Sequence, residues 1–295
     1  MHEHKAIFAF ALIILSLGPV AGFCAGSKGF LENKQTGVID WANGIVTAWG
    51  ISTPVKKDAV APKTDSSKAL SEAKNNARHK LLETVKRIQV DAIQSVGDIA
   101  DRNKTVMTQI QDMVYNAIEI EKLRKYMSDG TIEVHLQLNL HGGFAQLILP
   151  PQIRQIEMIK QLKPEEGALN LKSNNGSNCY TGLLVDARHI KAFPALVPSL
   201  LDENLTEVFG PAFVSREFVV QHGMAAYYND IESAKADPRV ANQPLVVKAL
   251  RTDWPRRCDL VISNGDASKL TGASDNLQFL KQSQVVIVLA PSSFR

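Results

Sequence analysis

The sequence predicts an α+β protein in two parts: an N-terminal hairpin, a long helix and antiparallel strands, followed by a second, mixed α/β domain. Three patterns carry this expectation. Residues 37–50 alternate on both sides of Asn43-Gly44, a dipeptide suited to the positive φ angles of a two-residue type I′ hairpin turn. Apolar residues recur at Leu70, Ala73, Ala77, Leu81, Val85, Ile88 and Ala92, the three-and-four spacing of one helical stripe. Beyond about residue 180, short apolar runs alternate with helical stretches, the signature of a mixed sheet covered by helices.

In chain order, Lys5 precedes an apolar run from Ala6 to Leu17 that Gly18 and Pro19 end. The run is short for a membrane span and reads as the core of a signal peptide, so residues 1–24 are expected to be removed on export. Small residues allow cutting after Cys24 or Gly26. A lipoprotein would instead begin at Cys24, the candidate lipidation residue, although Phe23 stands where a small residue is usual. The hairpin of residues 37–50 should then pair Trp41 with Val46, Ile39 with Ala48 and Val38 with Trp49. This puts a tryptophan on each face.

Polar residues and two prolines make 52–66 a loop. Asp65 and Ser66 cap the long helix, whose outer face carries Lys68, Glu72, Asn75, Asn76, His79, Glu83, Lys86 and Arg87. Gly97 interrupts, and a second amphipathic stretch runs through Val106, Ile110, Met113, Val114 and Ala117. Two strands flank Asp129-Gly130. In the second, Ile132, Val134, Leu136, Leu138 and Leu140 point inward and His135 belongs to the wet face; in the first, parity changes near Glu121-Lys122, which predicts a bulge. The first domain spans 36–150, a helix and linker 151–178, and the second domain 179–295. The latter should hold strands at 180–187, 195–201, 206–209, 245–250, 260–263 and 285–289, with a helix at 224–236.

Composition sets bounds on function. The chain of 295 residues is 45% hydrophobic and 21% charged, which excludes collagen-like, low-complexity and wholly disordered classes. A net charge of +3 supplies no field for nucleic acid or anionic lipid. The apolar residues are expected to divide between two cores. Charge is uneven: from Lys56 to Arg87 there are nine bases against four acids, which makes either a basic contact surface or a solvated helix face. Cys179 and Cys258 could pair in an oxidising compartment or stay as two buried thiols.

No nucleophile elbow, Walker loop, zincin helix or Cys-x-x-Cys motif occurs, so no catalytic, cofactor or metal residue is assigned. Polar residues at strand ends of the second half, Asp186, Arg188, His189, Asp259 and Asn264, are the candidates if the protein is an exported enzyme or small-ligand binder.

The segments Gly37-Val38-Ile39-Asp40-Trp41 and Ala48-Trp49-Gly50, the Ala69-to-Ile88 helix with Asn76-Ala77-Arg78, and the strand from Asp129-Gly130 to Leu138 resemble the LPP-twenty-like family of bacterial envelope lipoproteins. That family is similar to the flagellar outer-membrane-associated proteins FlgP and FlgT. The likeness covers about residues 36–150. It implies a non-enzymatic envelope protein of the periplasm or the inner face of the outer membrane, sometimes part of a structure around the flagellar base. Its partners would be envelope or flagellar proteins or further copies of itself, with the membrane engaged only through a lipid on Cys24. Trp41, Trp49, Lys68, His79, Lys86 and Arg87 are the candidate contact residues.

Overall fold

A computed structural model describes residues 29–54, 62–154, 180–240, 242–272 and 274–291. Residues 1–28 with Cys24, the stretch 155–179 with Cys179, and the last residues lie outside them. The fold is α+β, with one sheet in each half.

The first sheet joins β1 (Leu31–Lys34), β2 (Gly37–Asp40), β3 (Ile45–Ile51), β6 (Ile132–Asn139) and β4 (Ile118–Glu119) in that order, with β5 (Lys125–Tyr126) also on β6. The hairpin register differs from expectation by two residues. Ile39 faces Val46 and Asp40 faces Ile45, so the loop is the four residues Trp41–Gly44. The Asp40 carboxylate explains this: Oδ1 accepts the backbone N–H groups of Ala42 and Asn43 at 3.1 Å, and Oδ2 accepts the Asn43 amide at 2.7 Å. An aspartate that satisfies the turn's own donors closes a longer loop than Asn-Gly needs, and Gly44 takes the single positive φ, 63°.

Helix α1 (Pro62–Lys86) packs across this sheet, starting earlier than its predicted caps. Ala73, Ala77, Leu81, Val85 and Ile88 are completely buried. The helix comes unusually close to β3, because Gly50 has no side chain: a Cβ there would lie 2.2 Å from the Ala73 oxygen and the Ala77 nitrogen. Gly97, expected to break a helix, sits inside α2 (Val96–Arg102), which opens on a capping box between Ser95 and Asp98. Without a side chain it lets α2 pass close to the last turn of α1, where Lys86 O would be 3.0 Å from a Cβ. Helix α3 (Lys104–Tyr115) follows and buries Ile110 and Val114. All five inward residues of the β6 segment are buried, and the predicted bulge is a 3-10 turn, Glu121–Leu123. Helix α4 (Gly143–Ile148) ends the first half.

The second sheet has seven strands in the order β10 (Ala226–Tyr228), β13 (Val285–Val288), β7 (Leu183–Asp186), β11 (Leu245–Thr252), β12 (Leu260–Ile262), β8 (Leu200–Leu201) and β9 (Glu207–Phe209). The first four run parallel; β10, β13 and most of β7 are covered on both faces, which is why Val285–Val288 is apolar at every position, whereas β11 alternates buried and exposed residues. Helices α5 (Arg216–His222), α6 (Ile231–Lys235), α7 (Asn264–Thr271) and α8 (Ser274–Lys281) complete the half. Two expectations need correction. Residues 224–236 are not one helix, since Ala226–Tyr228 is a buried strand on β13. Residues 195–199 precede β8 without being strand.

The apolar residues do not form two cores. One continuous buried cluster runs from Ile39 and Leu81 in the first half to Val185, Tyr227 and Ile287 in the second, and a small cluster lies on the far face of the second sheet. Tyr227 is the link. Its buried hydroxyl donates to Ala195 O at 2.8 Å and accepts from Ala195 N at 3.1 Å. Its ring meets Trp41 edge-on at 5.5 Å, and its backbone oxygen accepts from Phe30 N at 2.9 Å. Further seams are Val197 N to Val90 O at 2.7 Å, Gly142 N to Val220 O at 2.7 Å, and the Arg216 guanidinium on the oxygens of Gln146, Pro150 and Ile153.

Two substitutions test this packing by urea denaturation. Gly50→Ala should cost about 1–3 kcal/mol, because the added methyl meets helix backbone that cannot rotate away. Tyr227→Phe should cost a similar 1–3 kcal/mol by leaving the buried amide and carbonyl of Ala195 unpaired. A midpoint unchanged in either variant would contradict the corresponding contact.

Candidate functional site

Of the contact residues expected from the sequence, Trp41 is buried and the others are at least partly exposed. Trp41 is only 6% exposed and is a core residue of the junction, its indole N–H donating to Glu32 at 2.9 Å. The turn loop carries it inward rather than onto a strand face, so it packs in the core and does not belong to a contact surface. Trp49 is half-buried and stacks on His135, ring centroids 6.2 Å apart. Lys68 and His79 are exposed on the outer face of α1, Lys86 pairs with Asp101 at 3.7 Å, and Arg87 is exposed just past the helix end. Lys68 and Lys86 are roughly 27 Å apart along the axis at 1.5 Å per residue. Cys258 is buried and bonded to no other cysteine among the described residues, its alternative partner Cys179 lying outside them; as a thiol it is pushed up to about 12 by burial and then by Asp259 and stays protonated at neutral pH.

The five strand-end candidates are not gathered into a pocket. Asp186 ends β7 and holds Arg188 by two bonds of 2.9 Å, while His189 is exposed. Asn264 exchanges bonds with Glu203, Asn264 N to Glu203 Oε1 at 2.9 Å and Glu203 N to Asn264 Oδ1 at 3.1 Å. Asp259 accepts from Ser199 N at 3.1 Å. Asp259 and Asn264 lie at opposite ends of β12, and β11 separates that strand from β7. None of the main cavities is lined by any of these five residues.

A groove of about 490 Å³ lies instead where the two halves meet, lined by Glu32 and Lys34 of β1, Arg87 and Gln89 after α1, Phe193 and Pro194, and Trp254–Arg257. The last segment is the loop between β11 and β12, closed by Asp253 N donating to Asp259 O at 2.9 Å. Arg256 moors it to the first half, with Nη1 on Gln89 at 2.9 Å and Nη2 on Asp98 at 2.8 Å. The Asp98 carboxyl is held below its usual range by the Ser95 backbone N–H, then by the Ser95 hydroxyl and Arg256. Arg257 has φ 58°, and its oxygen accepts from Phe193 N at 3.0 Å. Loop and Phe193 are therefore positioned together.

The groove's chemistry is cationic and aromatic. Glu32 is occupied by Lys34 and by the Trp41 indole, and Arg256 by Asp98. Among the described residues neither Arg87 nor Arg257 has an ion-pair partner. Trp254 is 76% exposed and Phe193 52%. Guanidinium groups stay protonated and offer planar donor forks to carboxylate or phosphate. Such donors can hold an anion without exchanging protons with it. Of its members the sequence reading singled out only Arg87. Two adjacent arginines beside Trp-Pro, between two apolar runs, were the visible signal for the rest.

The family model described as Treponema pallidum Tp0624, second domain, matches residues 182–291, a span that takes in the whole seven-stranded sheet. The chain is similar to that domain over this segment, which supplies Phe193 and the Trp254–Arg257 loop but not Lys34 or Arg87. A comparison with curated proteins gives no significant match.

Asp259 has a structural role that pH can expose. Burial, then the nearby Asp253, Asp91 and Glu207, push its carboxyl up to about 6 against the opposing bond from Ser199 N. The folded chain thus keeps a proton that the unfolded chain releases near pH 4. Stability from this source is intact below that pH and is lost as pH rises through 6. Relative to Asp259→Asn, the native protein should lose about 1–2 kcal/mol between about pH 4 and pH 7, partial exposure reducing the full effect. Denaturation midpoints of the two proteins that stay parallel across this range would contradict the assignment.

Proposed function

We propose that this is an exported, non-enzymatic protein of the bacterial envelope that holds a partner in a structural or assembly role at the outer membrane or flagellar base. The observation that carries the reading is the groove between the halves, where Arg87 and Arg257, without an ion-pair partner among the described residues, stand beside the exposed Trp254 and Phe193. Such groups suit recognition of a partner surface.

Three features support the setting. The apolar run from Ala6 to Leu17 after Lys5 is a signal-peptide pattern. Residues 36–150 resemble the LPP-twenty-like envelope family, and residues 182–291 are similar to a domain of a protein from Treponema pallidum, a bacterium.

Fractionation of a bacterial host expressing the chain with a C-terminal tag tests this reading. The protein is expected in the periplasmic or outer-membrane fraction with a new N-terminus near Cys24, and mass spectrometry of that terminus distinguishes a lipidated Cys24 from a free start. A cytoplasmic protein that keeps its first residues would overturn it.

A further inference from the structure

We propose that the groove binds an acidic segment of a partner protein, with carboxylates on Arg87 and Arg257 and an apolar side chain between Trp254 and Phe193. The inference deepens the reading of the groove as a binding site but does not depend on export.

Size, charge and composition select this occupant. About 490 Å³ lies within the roughly 300–1,000 Å³ of sites that enclose a compact group. A bilayer or a nucleic-acid duplex needs a broad basic face, and the chain's net +3 gives no such field. Within the groove the balance differs. Lys34 is matched by Glu32 and Arg256 by Asp98, which leaves Arg87 and Arg257 as the local positive excess, so the local field favours an anion even where the whole molecule is almost neutral.

The aromatic groups decide between a simple anion and a peptide. A free phosphate or carboxylate would use the arginines and leave Trp254 and Phe193 in water. Tryptophan and arginine together, next to proline and a second aromatic, are the side chains that dominate protein–protein contacts, where burial of the aromatic adds to a paired charge. Trp254 can give up most of its exposed surface only to an occupant that brings apolar area of its own.

The probe is a fluorescein-labelled peptide, Gly-Glu-Asp-Phe-Glu-Leu-Gly, titrated into the purified protein, beside its amide counterpart with Gln and Asn at the acidic positions. Saturable binding is expected for the acidic peptide alone, weakening as salt rises from about 0.05 to 0.5 M. Arg87→Ala, Arg257→Asn and Trp254→Ala should each weaken it about tenfold. Asparagine tolerates the positive φ at 257, so that variant tests charge and not backbone strain. Lys68→Ala, at the other end of α1, should leave affinity unchanged.

A measurement on the native protein guards against variants that fold poorly. Unlabelled peptide should shift the tryptophan emission to shorter wavelength, because of the three tryptophans Trp254 is the one that stands mostly in water. Equal binding of the amide peptide, affinity indifferent to the three groove variants, or an equal loss in Lys68→Ala would overturn the proposal. So would binding of inorganic phosphate or of phosphatidylglycerol vesicles at the groove with none of the peptide. Either result would leave the fractionation outcome untouched, so the two readings fail separately.

Discussion

The relation between the two sheets depends on one buried side chain. Tyr227 sits on β10 of the second sheet, yet its oxygen, ring and backbone are each spoken for: by Ala195, by Trp41 and by Phe30. A phenol taken out of water without partners would be costly. Here both its donor and its acceptor roles are met by the backbone of one residue, which fixes the ring in position and angle. An edge-on aromatic pair adds about 0.5–1.5 kcal/mol beyond burial. The halves are thereby registered to each other through bonds with strict geometry, and the groove, whose arginines come from both, keeps its shape as a result.

Helix α1 transmits a second constraint to the same place. How closely it lies on β3 is set by Gly50 against Ala73 and Ala77, and interiors at native packing density have little slack to absorb a shift. A helix pinned at its middle has its end pinned too. Arg87 follows the last turn, where a cation also meets the exposed carbonyl end of the helix dipole. Arg87, one of the cations lining the groove, is therefore positioned by small residues roughly three to four turns back along the helix, none of them charged.

Periodic features were legible in the sequence because they depend on near neighbours. The stripe from Leu70 to Ile88 and the alternation from Ile132 to Leu140 gave their buried faces directly, and short apolar runs located six of the seven strands of the second sheet at least in part. Features set by distant residues were not legible. Asn43-Gly44 suggests a two-residue turn, but the Asp40 carboxylate makes four, and Trp41 is drawn inward by an aromatic 186 positions later in the chain. Ala226–Tyr228 has a helix-compatible composition and becomes a strand because β13 supplies its hydrogen bonds. The groove has the same origin: Lys34, Arg87 and Arg257 come from three separate stretches of the chain, and only the folded junction makes them neighbours.

The backbone pairing of Gly29 and Tyr228 reaches further than its size suggests. β10 is the outermost strand of the second sheet, and an outermost strand displays unpaired amides that invite another chain to add to it. Here the start of the same polypeptide occupies part of that row, with Asn229 reaching back to the Gly29 oxygen at 3.4 Å. The Gly29–Phe30 stretch thus acts as a guard against edge-to-edge aggregation. Because it is separated from β10 by nearly 200 positions, the guard is set only after the last strands exist, which makes this a late, long-range step of folding.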